Sequence, residues 1–225
     1  MVDVAQAYDE GRTWFMGMEL LVARGVLVPR PETELLGATA VAALRRWDLP
    51  APRVIDMCCG AGNLGCAIAQ GVPGAQVWAS DLTDDCVAIT RRNVARHGLA
   101  ARISVCQGDL FDALSSLPLQ GSIDLIVCNP PYISETRLKG DRAPLLDLEP
   151  REAFAAGPYG LSIHMRVVKD ALTYLRPGGM LLFEIGLGQD RQVTTLLERS
   201  KGYQDVSVVA NDQGEGRVVM AHAKT

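Results

Sequence analysis

The chain has 225 residues, 48% of them hydrophobic and 21% charged, with a formal net charge of −4. That length suits one large domain with a small appendage, and the composition is that of a folded protein rather than a disordered one. The charge offers no global attraction to nucleic acid, and no apolar run approaches the roughly 20 residues that span a bilayer. The first ten residues, Met1 to Glu10, lack the basic and then apolar layout of a secretion signal. A cytoplasmic protein with no membrane partner is expected.

Along the chain, Trp14 to Val28 is mostly apolar but interrupted by Gly17 and Gly25, which predicts a hairpin or short extended pieces. Pro31 then opens a helix, with Glu32 and Glu34 in its first turn and Arg45 and Arg46 near its end, each charge opposing the helix dipole there. From about residue 52, short apolar runs alternate with longer amphipathic ones. Strands are expected at Arg53–Cys58, Ala75–Ser80, Ile103–Cys106, Ile123–Cys128 and Met180–Ile185. The helices between them are expected at Asn63–Gln70, Asp84–His97, Ser162–Leu175 and Gln189–Arg199. Gly98 and the Pro177-Gly178-Gly179 run read as helix stops. Two last segments, Asp205–Ala210 and Gly216–His222, close the sheet as an antiparallel pair. The predicted fold class is α/β, a mostly parallel seven-stranded sheet with helices on both faces.

The six cysteines, Cys58, Cys59, Cys66, Cys86, Cys106 and Cys128, contain no C-x-x-C pair. They read as reduced thiols acting as small hydrophobes, and no metal site is expected. Neither His164 nor His222 has a motif-linked serine or cysteine, so a hydrolytic triad has no support. Arg91, Arg92, Arg96 and His97 read as a solvated helix face. The polar loop Arg137–Arg142 is either a lid over substrate or a plain surface loop.

Two loops carry the chemistry. The first expected strand ends in Asp56-Met57-Cys58-Cys59-Gly60-Ala61-Gly62-Asn63, where glycines let a ligand approach backbone N–H groups at the start of a helix. Asp81, about 20 residues on, stands where an acid commonly binds ribose hydroxyls. A nucleotide-type cofactor fits; Gly65 leaves pyrophosphate binding open on the loop alone. The second loop, Asn129-Pro130-Pro131-Tyr132, directly follows the fourth strand and faces the same crevice. Two prolines stiffen it and leave carbonyls uncommitted. The Asn129 side-chain carbonyl and the Pro130 carbonyl make two acceptors for one N–H2 group, and Tyr132 offers a flat face for a planar target.

These segments resemble the HemK-type protein-(glutamine-N5) methyltransferases, a class I S-adenosylmethionine-dependent family with a Rossmann-like fold. Val26-Leu27-Val28-Pro29-Arg30-Pro31-Glu32-Thr33-Glu34 is similar to the family's V-L-I-P-R-P-E-T-E. Gly108-Asp109-Leu110-Phe111 is similar to its G-D-L/W-F, and Glu149-Pro150-Arg151-Glu152-Ala153-Phe154 to its E-P-R-x-A-L. The resemblance implies an N-terminal hairpin/helix extension over residues 1–50 and a cofactor-binding methyltransferase domain over residues 51–225. It implies S-adenosylmethionine as cofactor and S-adenosylhomocysteine as product. Gly60 and Gly62 would border its methionine part with Thr33 near that end, and Asp56, Cys58, Asn63 and Leu82 would also bind the cofactor. Asp81 would bind the ribose, and Asp109 and Leu110 would lie beside the adenine. Asn129, Pro130, Pro131 and Tyr132 would hold the substrate, with Asn129, Pro130 and Tyr132 the catalytic clamp.

Three positions depart from the family pattern. Only about a dozen residues precede Trp14, where bacterial members carry a helical recognition domain. Cys58 replaces the first glycine of the G-x-G-x-G loop, and Ala156-Gly157-Pro158-Tyr159-Gly160-Leu161 stands where the family has G-G-x-D-G-L. The expected acceptor is the glutamine of the Gly-Gly-Gln motif in a peptide-chain release factor. The alternative is a small molecule or peptide amide; an exocyclic base amine in nucleic acid comes third, disfavoured by the negative charge.

Overall fold

The computed structural model describes residues 2–224. Its centre is a seven-stranded sheet built from β3 (Arg53–Met57), β4 (Gln76–Asp81), β5 (Ile103–Gln107), β6 (Ile123–Cys128), β7 (Leu175–Glu184), β8 (Tyr203–Ala210) and β9 (Gly216–Ala223). The order is β5-β4-β3-β6-β7-β9-β8, parallel from β5 to β7 and antiparallel at β7–β9 and β9–β8. This is the mostly parallel α/β sheet with an antiparallel C-terminal pair that the alternation of apolar runs predicts.

The inner strands are largely apolar on both faces because both faces are covered, whereas the edge strand β8 is mostly exposed or half-buried. Side chains alternate between two cores: Val54, Leu125, Leu182 and Val218 enter one, while Ile55, Ile126, Leu181 and Val219 enter the other. The first core is closed by α2 (Glu34–Trp47), α3 (Asn63–Gly71) and, through Val94, α4 (Asp84–Arg96). A short helix, α5 (Glu135–Lys139), lies in the connection after β6, and the second core is closed by α6 (Ser162–Tyr174) and α7 (Asp190–Ser200).

The apolar stretch after residue 11 forms a hairpin, β1 (Arg12–Phe15) and β2 (Met18–Leu21), joined by Met16 and Gly17. Both turn residues have positive φ, 47° and 77°, the twist that suits a two-residue hairpin loop. Phe15, Met18 and Leu20 enter the first core beside α2 and α3. Asn93 of α4 binds both backbone groups of Leu21, accepting from its N–H at 2.7 Å and donating to its carbonyl at 2.9 Å. Ahead of the hairpin, α1 (Val4–Glu10) is capped by Asp3 and ended by Gly11 in the left-handed region, a short helix absent from the sequence-based expectation.

Other boundaries moved. Pro31–Thr33 is a 3-10 turn, and the α-helix starts at Glu34. The Pro177-Gly178-Gly179 run does not separate helix from strand: α6 stops at Tyr174, and Leu175 already pairs with Ile123. The register then slips, so that Met180 faces Leu125, and the intervening residues bulge out. Gly179 is required there, since a Cβ would lie 2.9 Å from the Ile123 carbonyl oxygen. No helix among the described residues is long and apolar enough to cross a membrane.

Phe183 is fully buried in the second core and packs against the ring of His164 at 5.0 Å. Phe183→Ala is expected to cost about 3–5 kcal/mol, read as a lowered urea midpoint with unchanged slope.

Candidate active site

Between β3 and β6 the chain reverses direction across the sheet, with β4 on one side and β7 on the other, and the crevice opens above the C-terminal ends of these strands. A cleft of about 300 Å³ lies there. Among the residues expected to bind a cofactor, Thr33, Cys58, Gly60, Asn63, Asp81, Leu82, Asp109, Leu110 and Asn129 line it.

Two others do not. Asp56 is fully buried behind the loop, where its Oδ2 accepts from the Gly65 N–H at 2.8 Å and ties the end of β3 to the first turn of α3. Gly62 is also behind the cleft: its φ is +75°, and a Cβ would sit 2.7 Å from Thr90 Cγ2. The spacing of the motif locates the loop, but these residues shape it from beneath. Gly65 belongs to the same packing, with a Cβ position 3.0 Å from Asp56 Oδ2.

Asp81, at the end of β4, fastens the glycine loop. Its Oδ2 accepts from the Gly60 N–H at 2.8 Å, and its Oδ1 accepts from the Leu82 N–H at 2.8 Å. Cys58 stands at φ 59° and Leu110 at φ 52°, both in the left-handed region that disfavours side chains. A thiol contact with Cys128 and burial hold the Cys58 thiol well above its usual range, which keeps it protonated. All six cysteines are free.

A second cavity, of about 370 Å³, adjoins the first and is lined by Pro130, Tyr132, Glu32, Glu184 and Arg217. Asn129, Arg30, Leu27 and Ala153 line both cavities, so this wall separates two compartments that meet at Asn129. Pro131 faces the first cavity, whereas Pro130 and Tyr132 face the second. The Asn129 amide donates from Nδ2 to Thr33 Oγ1 at 3.2 Å. Among the described residues, neither Asn129 Oδ1 nor the Pro130 carbonyl accepts a hydrogen bond from the protein.

The segment carrying Leu27, Arg30 and Thr33 is held over the sheet by Glu149, which is 5% exposed. Its Oε1 accepts from the Val28 N–H at 3.0 Å, and its Oε2 pairs with the Arg30 guanidinium. At the back of the second cavity Glu184 is 1% exposed, beside Tyr132 (hydroxyl to Oε1, 3.4 Å) and Arg217 (3.7 Å). Burial pushes the Glu184 carboxyl up to about 7, against the pull of Thr33 and Arg217. The roles of Glu149, Glu184 and Arg217 were not read from the sequence. The available signal was an isolated acid, Glu184, in the otherwise apolar run Met180–Ile185.

Asp56 is likewise raised to about 7 by burial. With an unfolded value near 3.9, it takes up a proton on folding between these limits, so its contribution to stability is complete below about pH 4 and lost as pH rises through about 7. The stability of the wild type relative to Asp56→Asn is therefore expected to rise on going from about pH 8 to 5. The steepest slope is about 1.4 kcal/mol per pH unit, measured by urea unfolding at each pH.

The "Methyltransferase small domain" family matches residues 38–143. A protein named release factor glutamine methyltransferase from Streptomyces coelicolor is 37% identical over 198 residues, 88% of this chain and 68% of its own length. A ribosomal protein uL3 glutamine methyltransferase from Bordetella pertussis is 38% identical across 82% of this chain and 60% of its own length. Among solved structures, the release factor-specific protein-(glutamine-N5) methyltransferase from Alicyclobacillus acidocaldarius superposes with a TM-score of 0.52 at 25% identity. That superposition covers 91% of this chain and 99% of the other.

Proposed function

This chain belongs to the HemK-type protein-(glutamine-N5) methyltransferase family, and we propose that it methylates the side-chain nitrogen of a glutamine in a protein, using S-adenosylmethionine. The observation that carries this function is the pair of adjoining cavities meeting at Asn129, whose Oδ1 stands free beside the free Pro130 carbonyl.

The first cavity takes the cofactor. Its residues fit that group: Asp81 has carboxylate lone pairs for the ribose diol, and Leu82, Leu110 and Ile163 give apolar surface for adenine. Asp109 sits beside them, and the Gly60 loop with Cys58 and Asn63 borders the methionine end, near Thr33. When bound, S-adenosylmethionine supplies an electrophilic methyl group and leaves as S-adenosylhomocysteine.

The second cavity takes the glutamine side chain. A carboxamide nitrogen is a poor nucleophile because its lone pair is delocalised into the carbonyl. Asn129 Oδ1 and the Pro130 carbonyl accept its two N–H bonds, hold the nitrogen in line, and stabilise the positive charge that grows on it. Pro131 stiffens the loop, and Tyr132 supplies a flat wall for the planar amide. The nitrogen would take the methyl group as its bond to the sulfonium sulfur of the bound cofactor breaks, and would then release one proton to solvent.

A release factor bearing Gly-Gly-Gln is the leading acceptor, supported by the S. coelicolor relative; ribosomal protein uL3 is the second, supported by the B. pertussis relative. Offered both proteins with labelled cofactor, the enzyme is expected to label the release factor glutamine with one methyl group. Asn129→Ala should lose about 100-fold or more in turnover with an unchanged circular dichroism spectrum. No label in either protein, or full activity of the variant, overturns the function. Asp81→Ala is expected to weaken cofactor binding roughly 10- to 100-fold by calorimetry, the worth of hydrogen bonds to a charged group.

A further inference from the structure

The buried carboxylate behind the second cavity has no part in the clamp as described, yet it is joined to it. Asn129 Nδ2 donates to Thr33 Oγ1 at 3.2 Å, and the Thr33 side chain, 1% exposed, is near enough to Glu184 for its hydroxyl to draw that carboxyl down. A threonine hydroxyl has a single proton to give. Because its oxygen is already taken up by the Asn129 N–H, that proton is free to point away, toward Glu184. Glu184 Oε2 is buried without a hydrogen-bond partner of its own, an acceptor that calls for a donor.

We propose that Glu184 is a positioning residue that acts through Thr33 to fix which end of the Asn129 carboxamide faces the substrate. This assignment rests on Asn129 being the amide clamp. Ionised, Glu184 is only an acceptor. It draws the Thr33 proton, Thr33 offers its lone pair to Asn129 Nδ2, and Oδ1 is left for the incoming N–H2. Protonated, Glu184 donates to Thr33 instead. Thr33 then turns its proton toward Asn129, the amide flips to present Oδ1 to Thr33, and Nδ2 faces the substrate. Two N–H2 groups then oppose each other, and the clamp is lost. No bond other than hydrogen bonds changes; one proton from water is taken up by Glu184.

The surroundings place this switch in the neutral range. Burial raises Glu184 to about 7, Glu32 on the 3-10 turn adds like charge, and the Arg217 guanidinium of β9 and the Tyr132 hydroxyl oppose them. The other groups that face Glu184 keep one state there. His164 of α6, whose Nε2 lies 3.4 Å from the Glu184 backbone oxygen, is lowered to about 4 by burial and stays neutral. Burial raises the Tyr132 phenol, which stays protonated.

The test has two arms on the whole 225-residue chain. In the first, needing no substrate, the Asn129 side-chain N–H2 signals are followed by nitrogen-15 NMR from about pH 5.5 to 8.5. They are expected to titrate with a midpoint near 7, together with the carbon-13 signal of the Glu184 carboxyl. The Asn129 response should vanish in Thr33→Val and persist in Thr33→Ser. Asn129 signals that stay flat in the wild type, or that still titrate in Thr33→Val, overturn the relay.

In the second arm, kcat for release-factor methylation should fall about tenfold per pH unit below the midpoint, with little change in KM. Glu184→Gln should remove that acid limb while leaving measurable turnover. An acid limb that survives in Glu184→Gln also overturns the relay. An enzyme that titrates as expected in the first arm but methylates neither protein refutes the acceptor assignment and leaves the relay standing.

Discussion

The contact on which both cavities depend is the one Glu149 makes with the N-terminal segment. A carboxylate so little exposed is stable only when its charge is compensated, and here a backbone N–H from Val28 and the guanidinium of Arg30 do so. Removing either partner of such a pair strands the other charge, at about 3–5 kcal/mol. The geometric effect is larger than the energetic one. Glu149 follows β6 by some twenty residues, and Val28 precedes the sheet; their junction lays Leu27, Arg30 and Thr33 across the crevice. Thr33, the acceptor of the Asn129 amide, is carried on that strap.

Beneath the strap the sheet does the placing. Alternate side chains commit each strand to two cores at once, which fixes every strand end to within one residue. Gly60, Asp81, Asp109 and Asn129 thus arrive at one rim from four different strands. The cost of this convergence is local: Cys58 and Leu110 both stand in the left-handed region at the mouth of the first cavity. Cys58 occupies a position where the family has glycine, and it carries a side chain at a φ of 59°.

The sheet was legible because a strand covered on both faces is written as a near-continuous apolar run, as in Ile123–Cys128, where every residue is buried and only Asp124 is polar. Turn chemistry was less legible. Pro177-Gly178-Gly179 reads as a stop in any sequence, and only pairing with β6 turns it into a bulge inside a strand. The helix Val4–Glu10 was overlooked because its seven residues are too few to show a period, although Asp3 and Gly11 mark its ends. For the site, motif spacing found the loops but not the direction of each side chain. Asp56 and Gly62 lie in the motif yet face inward, and Glu184 lies outside every motif yet stands behind the clamp. Direction is a property of packing, which spacing along the chain does not encode.

The wall formed by Asn129, Arg30, Leu27 and Ala153 has a thermodynamic corollary. Since the same side chains bound both compartments, any rearrangement that one occupant imposes on them is felt by the other. Linkage makes that influence reciprocal: whatever factor the nucleotide-bearing ligand adds to the affinity of the amide, the amide returns in equal measure. With a partition built of shared side chains, any free energy that couples the two occupants is one quantity seen from two sides.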